Sequence, residues 1–357
     1  MTEITVSAGG PTYSVRVGRG LRREAAGLRA SHGRLAVVAD AKVAGLHELP
    51  GCEELPCRRV EGGESAKTLG ELELLLEFLA EAGLDRSSGV ITFGGGMVSD
   101  LGGMAAALFK RGVAVWHVPT TLLAQVDASV GGKTAVNLQA GKNLAGVFHQ
   151  PSGVLVDTET LATLPDEELA SGLGEVLKTA LIGGETELER LEQRAGALLQ
   201  RDPDALAEIV ADCVTVKARV VESDPTEQGP RAVLNLGHTL GHAIEGAAGY
   251  GAVPHGVCVA TGIGLALRLS RGAGLLEDED LPGRVERLAE TLGLPLDLET
   301  LTARHGLKLD PLELWRHLDQ DKKGAVGQPR FVLPRRAGDV AYGVELERSS
   351  VDALLGG

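Results

Sequence analysis

The sequence predicts an α/β fold in which an N-terminal parallel-sheet domain is followed by a mostly α-helical domain. Short apolar strands alternate with helical segments up to residue 164. From residue 165 to residue 357 helical periodicity dominates, with little strand signal. A chain of 357 residues is also long enough for two domains. We therefore place the boundary between residues 164 and 165 and expect a ligand cleft between the domains.

Composition excludes several classes of function. The formal net charge is −14, which argues against an electrostatic surface for nucleic acid or an anionic membrane. The sequence has no apolar span of membrane length and no signal-peptide pattern at its start. Its four cysteines form no CxxC pair or regular disulfide framework. We expect a cytoplasmic protein that binds a small molecule, with neither a nucleic acid nor a membrane as partner.

The first forty residues predict a hairpin and then a strand. Residues 4–18 alternate around a Gly-Gly-Pro turn, which predicts a β-hairpin. Residues 34–40 predict a strand that ends at Asp40, directly before a helical segment. An acid in that position suits contact with a nucleotide ribose, and a simple helix cap is the alternative.

A glycine-rich turn follows the next predicted strand. The run VITF leads into Gly94, Gly95 and Gly96, and a small-residue helix containing Asp100 comes next. Glycines at a strand end let backbone N–H groups approach a pyrophosphate at a helix start. The GxGxxG fingerprint is absent, so a tight βα turn without a ligand remains the alternative.

Residues 129–151 predict a long polar loop after a strand that leads to Thr120, Thr121 and Asp127. The loop carries Lys133, Lys142 and Asn143 among glycines. Loops of this length within a compact domain are usually functional or disordered. Its apolar residues and low charge favour function over disorder.

The second half contains a candidate metal site. His238 and His242 are four residues apart and share one helix face, and His255 precedes an apolar helical run. Glu175 belongs to a small-residue helix and would complete a Glu/His/His set, as in catalytic zinc sites. The HExxH pattern is absent because Thr239 follows His238.

Each part of this set has a simpler explanation. The histidines could be core or helix-face residues satisfied by their neighbours. Glu175 and Lys178 could form a surface ion pair, although LASGLG and TALIGG around them favour burial near a site.

Cations in apolar or glycine-rich surroundings predict a polyanionic small substrate, because they stand out in an acidic protein. The set comprises Lys133, Lys142, Lys178, Lys217, Arg231 and the segment 321–323. For Lys217 and the segment 321–323 a solvated face is the alternative.

Several long motifs resemble the 3-dehydroquinate synthase family of the sugar phosphate cyclase superfamily. They include GGGMVSDLGGMAAA, RGVAVWHVPTTLLAQVDASVGGKTAVN, GKNLAGVFHQP, TLPDEELASGLGEVLKTALI, RAVLNLGHTLGHAIE and HGVCVATG. The similarity is collinear from about residue 34 to the FVLP near residue 334.

The resemblance implies an NAD-binding α/β domain at residues 1–164, a helical metal- and substrate-binding domain at residues 165–357, and a homodimer. The implied cofactors are NAD and Zn²⁺ or Co²⁺. The implied activity is that of a carbon–oxygen lyase of the shikimate pathway. It converts 3-deoxy-D-arabino-heptulosonate 7-phosphate to 3-dehydroquinate and phosphate by transient oxidation, phosphate elimination, re-reduction and intramolecular aldol cyclisation.

Residue roles carry over by motif. The metal ligands match Glu175, His238 and His255, and His242 matches a proton-transfer and phosphate-contacting position. The substrate positions match Asp127, Lys133, Lys142, Asn143, Lys178, Lys217, Arg231, Asn235 and Lys323. Arg111 matches an arginine donated to the neighbouring subunit's phosphate site. The NAD positions match Asp40, Lys42, Glu64, Lys67, Gly95, Gly96, Asp100, Thr120, Thr121 and Thr163, with Lys133 and Lys142 also on the cofactor side.

Three positions depart from the commonest family pattern, namely Ser99, Gly174 and Val257, and none of them is a ligand. The closest alternative is an aminodehydroquinate synthase or another cyclase of secondary metabolism, which would share these site residues. A metal-dependent polyol dehydrogenase is a more distant alternative, because it would not need so many cations. A relative that has lost catalysis would lack a ligand or a lysine, and none is missing.

Overall fold

The computed structural model describes residues 1–320 and 329–355. Its strands are β1 (Thr2–Val6), β2 (Tyr13–Gly18), β3 (Leu35–Asp40), β4 (Cys57–Val60), β5 (Gly89–Gly94), β6 (Ala114–Pro119), β7 (Lys133–Leu138), β8 (Gly141–Phe148), β9 (Gly153–Asp157), β10 (Arg330–Arg336) and β11 (Asp339–Glu345). Its α-helices are α1 (Val43–Leu46), α2 (Leu69–Glu81), α3 (Gly96–Leu108), α4 (Asp166–Gly183), α5 (Glu185–Leu199), α6 (Pro203–Ser223), α7 (His238–Ala248), α8 (His255–Gly272), α9 (Leu281–Leu292), α10 (Leu298–His305), α11 (Pro311–Gln320) and α12 (Arg348–Leu355). Among these elements no helix is long and apolar enough to cross a membrane.

The chain forms two compact units. The first combines Met1–Pro165 with Leu206–Thr226, and the second combines Asp166–Ala205 with Glu227–Gly357. The change of unit at Pro165 lies beside the predicted boundary, but most of α6 belongs to the first unit. Two polar contacts join α6 to this unit: Lys217 forms an ion pair with Asp127, and Glu222 accepts a hydrogen bond from the backbone N–H of Ser7. The functional division at residues 164/165 stays a prediction.

The first unit is built on a seven-stranded sheet in the order β1-β2-β9-β6-β5-β3-β4. Only β1 and β2 pair antiparallel, and the other neighbours are parallel. The prediction of an α/β fold with a parallel sheet is confirmed, and so is the N-terminal hairpin.

Both faces of the sheet are covered. One core packs Val38 and Val90 against α2 and α3. The other packs Val37 and Ile91 against Leu28 of the 3-10 segment Leu21–Ala30. Neighbouring residues of one strand therefore enter different cores, because successive side chains point to opposite faces. This explains why β3 and β5 read as uninterrupted apolar runs.

The strand order changes direction between β3 and β5. The chain runs outward from β3 to β4 and then returns to place β5 on the other side of β3. In open α/β sheets, ligands bind outside the carboxyl ends of the strands at such a switch point. Asp40 ends β3 and Gly94 ends β5, and a Cβ on Gly94 would lie 3.0 Å from the Cβ of Asp40.

The prediction of a long loop at residues 129–151 is wrong. Most of it forms the antiparallel hairpin β7–β8, with Lys133 opposite Phe148. The alternation in KTAVNL and in GKNLAGVF is compatible with strands, but the many glycines and the polar residues obscured it. The predicted helix after Asp40 is also much shorter than expected, because only Val43–Leu46 is helical.

The second unit is mostly helical, as predicted, with the hairpin β10–β11 as an addition. Glycines bring its helices into close contact. A Cβ on Gly174 in α4 would lie 1.9 Å from the carbonyl oxygen of Gly256 in α8, and a Cβ on Gly256 would lie 1.8 Å from that of Ser171. A Cβ on Gly237, before α7, would lie 2.6 Å from the carbonyl oxygen of Val259 in α8.

Adding one methyl group at the α4–α8 contact should separate these helices. We expect Gly256→Ala to lower the free energy of unfolding by about 1–3 kcal/mol through overpacking. Urea titration of purified protein measures this. The matched control is Gly196→Ala in α5, where a Cβ meets nothing within 4 Å; that change should stabilise by about 0.4–1 kcal/mol. Equal effects of both substitutions would contradict the close contact.

Candidate functional site

A buried carboxylate forms the centre of the candidate site in the second unit. Glu175 lies on α4 and is 0% exposed. Its Oε1 lies 3.6 Å from Nε2 of His238, the first residue of α7. The same Oε1 lies 3.5 Å from Nε2 of His255, the first residue of α8. Three helices thus bring the three predicted metal ligands together.

The spacing of these atoms fits a tetrahedral zinc ion. Zinc bonds to nitrogen and oxygen are about 2.0–2.2 Å long, so neighbouring ligand atoms of a tetrahedron are about 3.4 Å apart. The two distances from Glu175, 3.5 and 3.6 Å, agree with that edge length. One carboxylate with two imidazoles is also the ligand type of catalytic zinc sites, in which a fourth position takes water or substrate.

His242 adds a third imidazole to the cluster. Its ring centroid lies 5.3 Å from that of His238 and 5.5 Å from that of His255. One nitrogen from each of the three rings can be chosen so that all lie within 4.8 Å of one another. His242 is exposed, whereas Glu175 is buried. A three-histidine ligand set is therefore the geometric alternative to the set with Glu175.

Outer partners orient two of the rings. Oε2 of Glu245 lies 3.0 Å from Nδ1 of His255, and the carbonyl oxygen of Leu236 lies 3.2 Å from Nδ1 of His238. With a proton on each Nδ1, both Nε2 atoms present a lone pair toward Glu175. Sequence reasoning missed Glu245. The signal was available, because Glu245 follows His242 by three residues on the same helix.

Charges in the cluster are balanced locally. Nζ of Lys178 lies 2.5 Å from Oε2 of Glu175, and both side chains are buried. Burial alone would lower the pKa of His255, but the carboxylates of Glu175 and Glu245 raise that pKa to about 9. Burial and the nearby Lys178 hold the pKa of His238 well below its ordinary value. Without an ion, His255 therefore favours its protonated form and His238 stays neutral, so an ion bound at Nε2 of His255 must displace the proton there.

Other predicted substrate residues of the second unit occupy different environments. Arg231 lies in the 3-10 turn Pro230–Asn235 and is 1% exposed. Asn235, at the end of that turn, donates from Nδ2 to Oε1 of Glu227 at 2.9 Å. Lys323 lies outside the described residues.

In the first unit, predicted cofactor residues gather at the carboxyl edge of the sheet. Gly95 precedes α3 without a capping side chain, which suits backbone N–H groups for an anion. A Cβ there would lie 3.1 Å from Cγ2 of Thr121. The buried hydroxyl of Thr120 has no hydrogen-bond partner among the described residues. Together these features fit a dinucleotide whose pyrophosphate lies at the glycine turn.

An acid–base pair stands beside this turn. Nζ of Lys67 lies 2.5 Å from Oδ2 of Asp100 and 3.8 Å from Oε1 of Glu64. The structure thus brings three of the predicted NAD residues into one cluster.

The remaining cofactor positions are more dispersed. Asp40 accepts hydrogen bonds at Oδ1 from the backbone N–H groups of Lys42 and Val43, at the start of α1. Lys42 is exposed. Thr163 is also exposed, and its hydroxyl lies 2.7 Å from Nε2 of His47.

Substrate positions of the first unit include one close ion pair. Lys217 of α6 contacts both the carboxylate and the carbonyl of Asp127, which lies in the π-helical turn Ala124–Ala128. Lys133 and Asn143 are exposed on the β7–β8 hairpin, and Lys142 is partly buried. Arg111 is exposed after α3 and has a left-handed backbone, with φ of 70°.

Comparison with solved structures defines the class. The chain superposes on 2-deoxy-scyllo-inosose synthase, solved with carbaglucose-6-phosphate, NAD⁺ and Co²⁺, with a TM-score of 0.88, 26% identity and 99% coverage of both chains. It superposes on 2-epi-5-epi-valiolone synthase from Streptomyces hygroscopicus, solved with NAD⁺ and Zn²⁺, with a TM-score of 0.85, 28% identity and coverage of 98% and 97%. The fold is that of the sugar phosphate cyclases.

Sequence comparison then defines the family. Residues 58–171 match the family described as 3-dehydroquinate synthase N-terminal, and residues 172–324 match 3-dehydroquinate synthase C-terminal. The 3-dehydroquinate synthase of Symbiobacterium thermophilum is 42% identical over 340 residues, which is 92% of each chain. This chain belongs to the 3-dehydroquinate synthase family, which confirms the resemblance found in the sequence.

Single substitutions should distinguish the two possible ligand sets. We expect His238→Ala, His255→Ala and Glu175→Gln to purify without stoichiometric zinc, because each removes one tetrahedral ligand. His242→Ala should retain zinc. Metal content by mass spectrometry and thermal unfolding of each variant provide the measurement. Zinc lost from His242→Ala but retained by Glu175→Gln would favour the three-histidine set.

Glu245 should contribute to metal affinity through His255. We expect Glu245→Gln to weaken zinc binding about 10–100-fold, because loss of an outer carboxylate reduces the basicity and orientation of the ligand. Competition titration with a chelating dye measures the dissociation constant. The control is Glu279→Gln, which removes an exposed partner of Arg271 in the same unit. Equal affinities of both variants and the wild type would rule out this role.

Proposed function

We propose that this chain converts 3-deoxy-D-arabino-heptulosonate 7-phosphate to 3-dehydroquinate and phosphate, using NAD and a divalent ion, Zn²⁺ or Co²⁺. The observation that carries the proposal is the spacing of Glu175, His238 and His255, which suits a tetrahedral ion. It occurs in a chain whose residues 58–171 and 172–324 match the N-terminal and C-terminal parts of the 3-dehydroquinate synthase family.

The two cofactors belong to different groups of residues in this proposal. Glu175, His238 and His255 hold the ion, and the turn at Gly95 and Gly96 holds the pyrophosphate, with the other predicted NAD positions around it. When bound, NAD⁺ supplies reversible hydride acceptance and the ion supplies Lewis acidity at the substrate oxygen.

The chain's own residues orient the substrate. Lys133, Lys142, Lys178 and Arg231 bind its phosphate and carboxylate as a polyanion, with Arg111 given to the phosphate site of a partner subunit. Exposed His242 lies beside the metal ligands, where it moves a proton to or from the substrate. These cations hold the phosphate and carboxylate of the substrate and of each intermediate in one orientation. Holding the reacting groups in this orientation supplies much of the rate acceleration.

The proposal also covers the oligomeric state and the cellular location of the enzyme. We infer a homodimer in the cytoplasm, with the N-terminal region binding NAD and the helical region binding metal. The exposed position of Arg111 supports its donation to a partner. Analytical ultracentrifugation of the wild type tests the homodimer, and the KM of Arg111→Ala for the sugar phosphate tests the donation of Arg111, because a dimer can persist after its phosphate contact is removed.

The activity assay should separate this function from its rivals. Purified protein with Zn²⁺, catalytic NAD⁺ and 3-deoxy-D-arabino-heptulosonate 7-phosphate should release phosphate without net NADH. Metal removal by a chelator should abolish release, and added Zn²⁺ or Co²⁺ should restore it.

Two other outcomes point to a different enzyme. NADH accumulating in proportion to substrate would indicate a polyol dehydrogenase, which the number of cations among the predicted substrate residues disfavours. Phosphate released from the amino analogue of the substrate, but not from the substrate itself, would indicate an aminodehydroquinate synthase. Either result contradicts the proposed reaction.

A further inference from the structure

Asn137 lies at an irregularity of the β7–β8 hairpin. Its neighbour Val136 pairs with Ala145, whereas Leu138 pairs with Gly141, so the register shifts across Asn137. Residues 142–144 of β8 stand opposite Asn137, so the extra residues of this bulge lie on β8. The β7 backbone there bonds to another segment instead, because the backbone N–H of Asn137 donates to the carbonyl of Lys67 at 2.7 Å.

Both ends of the Asn137 side-chain amide form hydrogen bonds. Nδ2 of Asn137 donates to Oε1 of Glu64 at 2.6 Å and lies 3.4 Å from the carbonyl oxygen of Glu64. Oδ1 accepts a hydrogen bond from the backbone N–H of Asn143 at 2.9 Å. The orientation of the amide is unambiguous, because only the NH₂ group can donate to a carboxylate and only the oxygen can accept from an N–H.

Both partners need to be held in place. Glu64 is 41% exposed at its side chain and belongs to a three-residue turn that follows Gly63, whose φ is 102°. Asn143 has φ of 56°, a left-handed conformation that non-glycine residues adopt uncommonly. A hydrogen bond to a carboxylate is stronger than one between neutral groups, so Asn137 restrains Glu64 in particular.

We propose that Asn137 is a positioning residue that couples the cofactor side of the first unit to its substrate side. It joins the cluster of Glu64, Lys67 and Asp100 to the start of β8, which carries Asn143. The inference rests on the proposed function, which assigns the first group to NAD and Asn143 to the sugar phosphate. Because one amide serves both, ordering either partner helps to order the other, and the effect on binding is reciprocal.

Substitution of Asn137 by aspartate removes the hydrogen bond to Glu64 but keeps the one from Asn143. In Asn137→Asp one oxygen still accepts from the N–H of Asn143, but a carboxylate faces Glu64 and repels it. We expect the Kd for NAD⁺ of the zinc-loaded enzyme to rise about 10-fold or more. The KM for the sugar phosphate at saturating NAD⁺ should change much less. In Asn137→Ala both contacts are lost, so both constants should rise.

A paired substitution should reverse the effect on NAD⁺. In the double variant Asn137→Asp with Glu64→Gln, the glutamine NH₂ can donate to the new carboxylate, which restores a hydrogen bond with the donor and acceptor exchanged. Its Kd for NAD⁺ should return to that of Glu64→Gln alone. Gln139→Asp adds the same charge at an exposed residue of the hairpin and should leave the Kd unchanged.

Calorimetric titration with NAD⁺, steady-state kinetics and thermal unfolding give the three readouts. Wild-type Kd values in folded Asn137→Asp and Asn137→Ala would overturn the inference. So would an equal rise for Gln139→Asp, or no recovery in the double variant. A wild-type protein that binds no NAD⁺ would instead overturn the proposed function on which the inference rests.

Discussion

The buried carboxylate of Glu175 is the constraint on which the helical unit depends. An ionised group without solvent is strongly destabilising unless charges and hydrogen bonds compensate for it. Lys178 from the same helix and the imidazoles of His238 and His255 surround it. The glycine contacts of α8 with α4 and with the turn before α7 make this possible, because only a missing Cβ lets the backbones approach closely. The close approach of these backbones also gives Glu175, His238 and His255 a spacing that fits a tetrahedral ion.

The first unit also brings charged side chains close together, at the carboxyl edge of its sheet. The strand order reverses between β3 and β5, and the glycine turn follows β5 at that point. Its polar groups are held by one another, as in the pairs Lys67–Asp100 and Lys217–Asp127. In an acidic protein these pairs keep cations close to a position where anions are expected to bind. Helices and turns at the sheet edge thereby carry the charged groups, while the apolar strands supply the rigidity.

Two residues outside the predicted set contact predicted site residues and fix their positions. Glu245 orients His255, and Asn137 joins Glu64 to Asn143. Asn137 does not stand out in the sequence, because its partners lie on other elements. Glu245 follows His242 by three residues, but its contact with His255 on another helix is visible only in the structure. A ligand set identifies which groups can hold an ion, but residues of this kind determine where those groups lie.

The sequence by itself determined the strands β3 and β5, the N-terminal hairpin, the family and the helical spacing of His238 and His242, because local periodicity and long motifs carry that information. It did not predict the β7–β8 hairpin, whose glycines obscured its alternation, or the membership of α6 in the first unit. Only the tertiary structure placed Glu175 within 3.6 Å of two imidazoles that follow it by more than sixty residues. The physical reason is that helix crossings are decided by packing between distant segments, which no local pattern records.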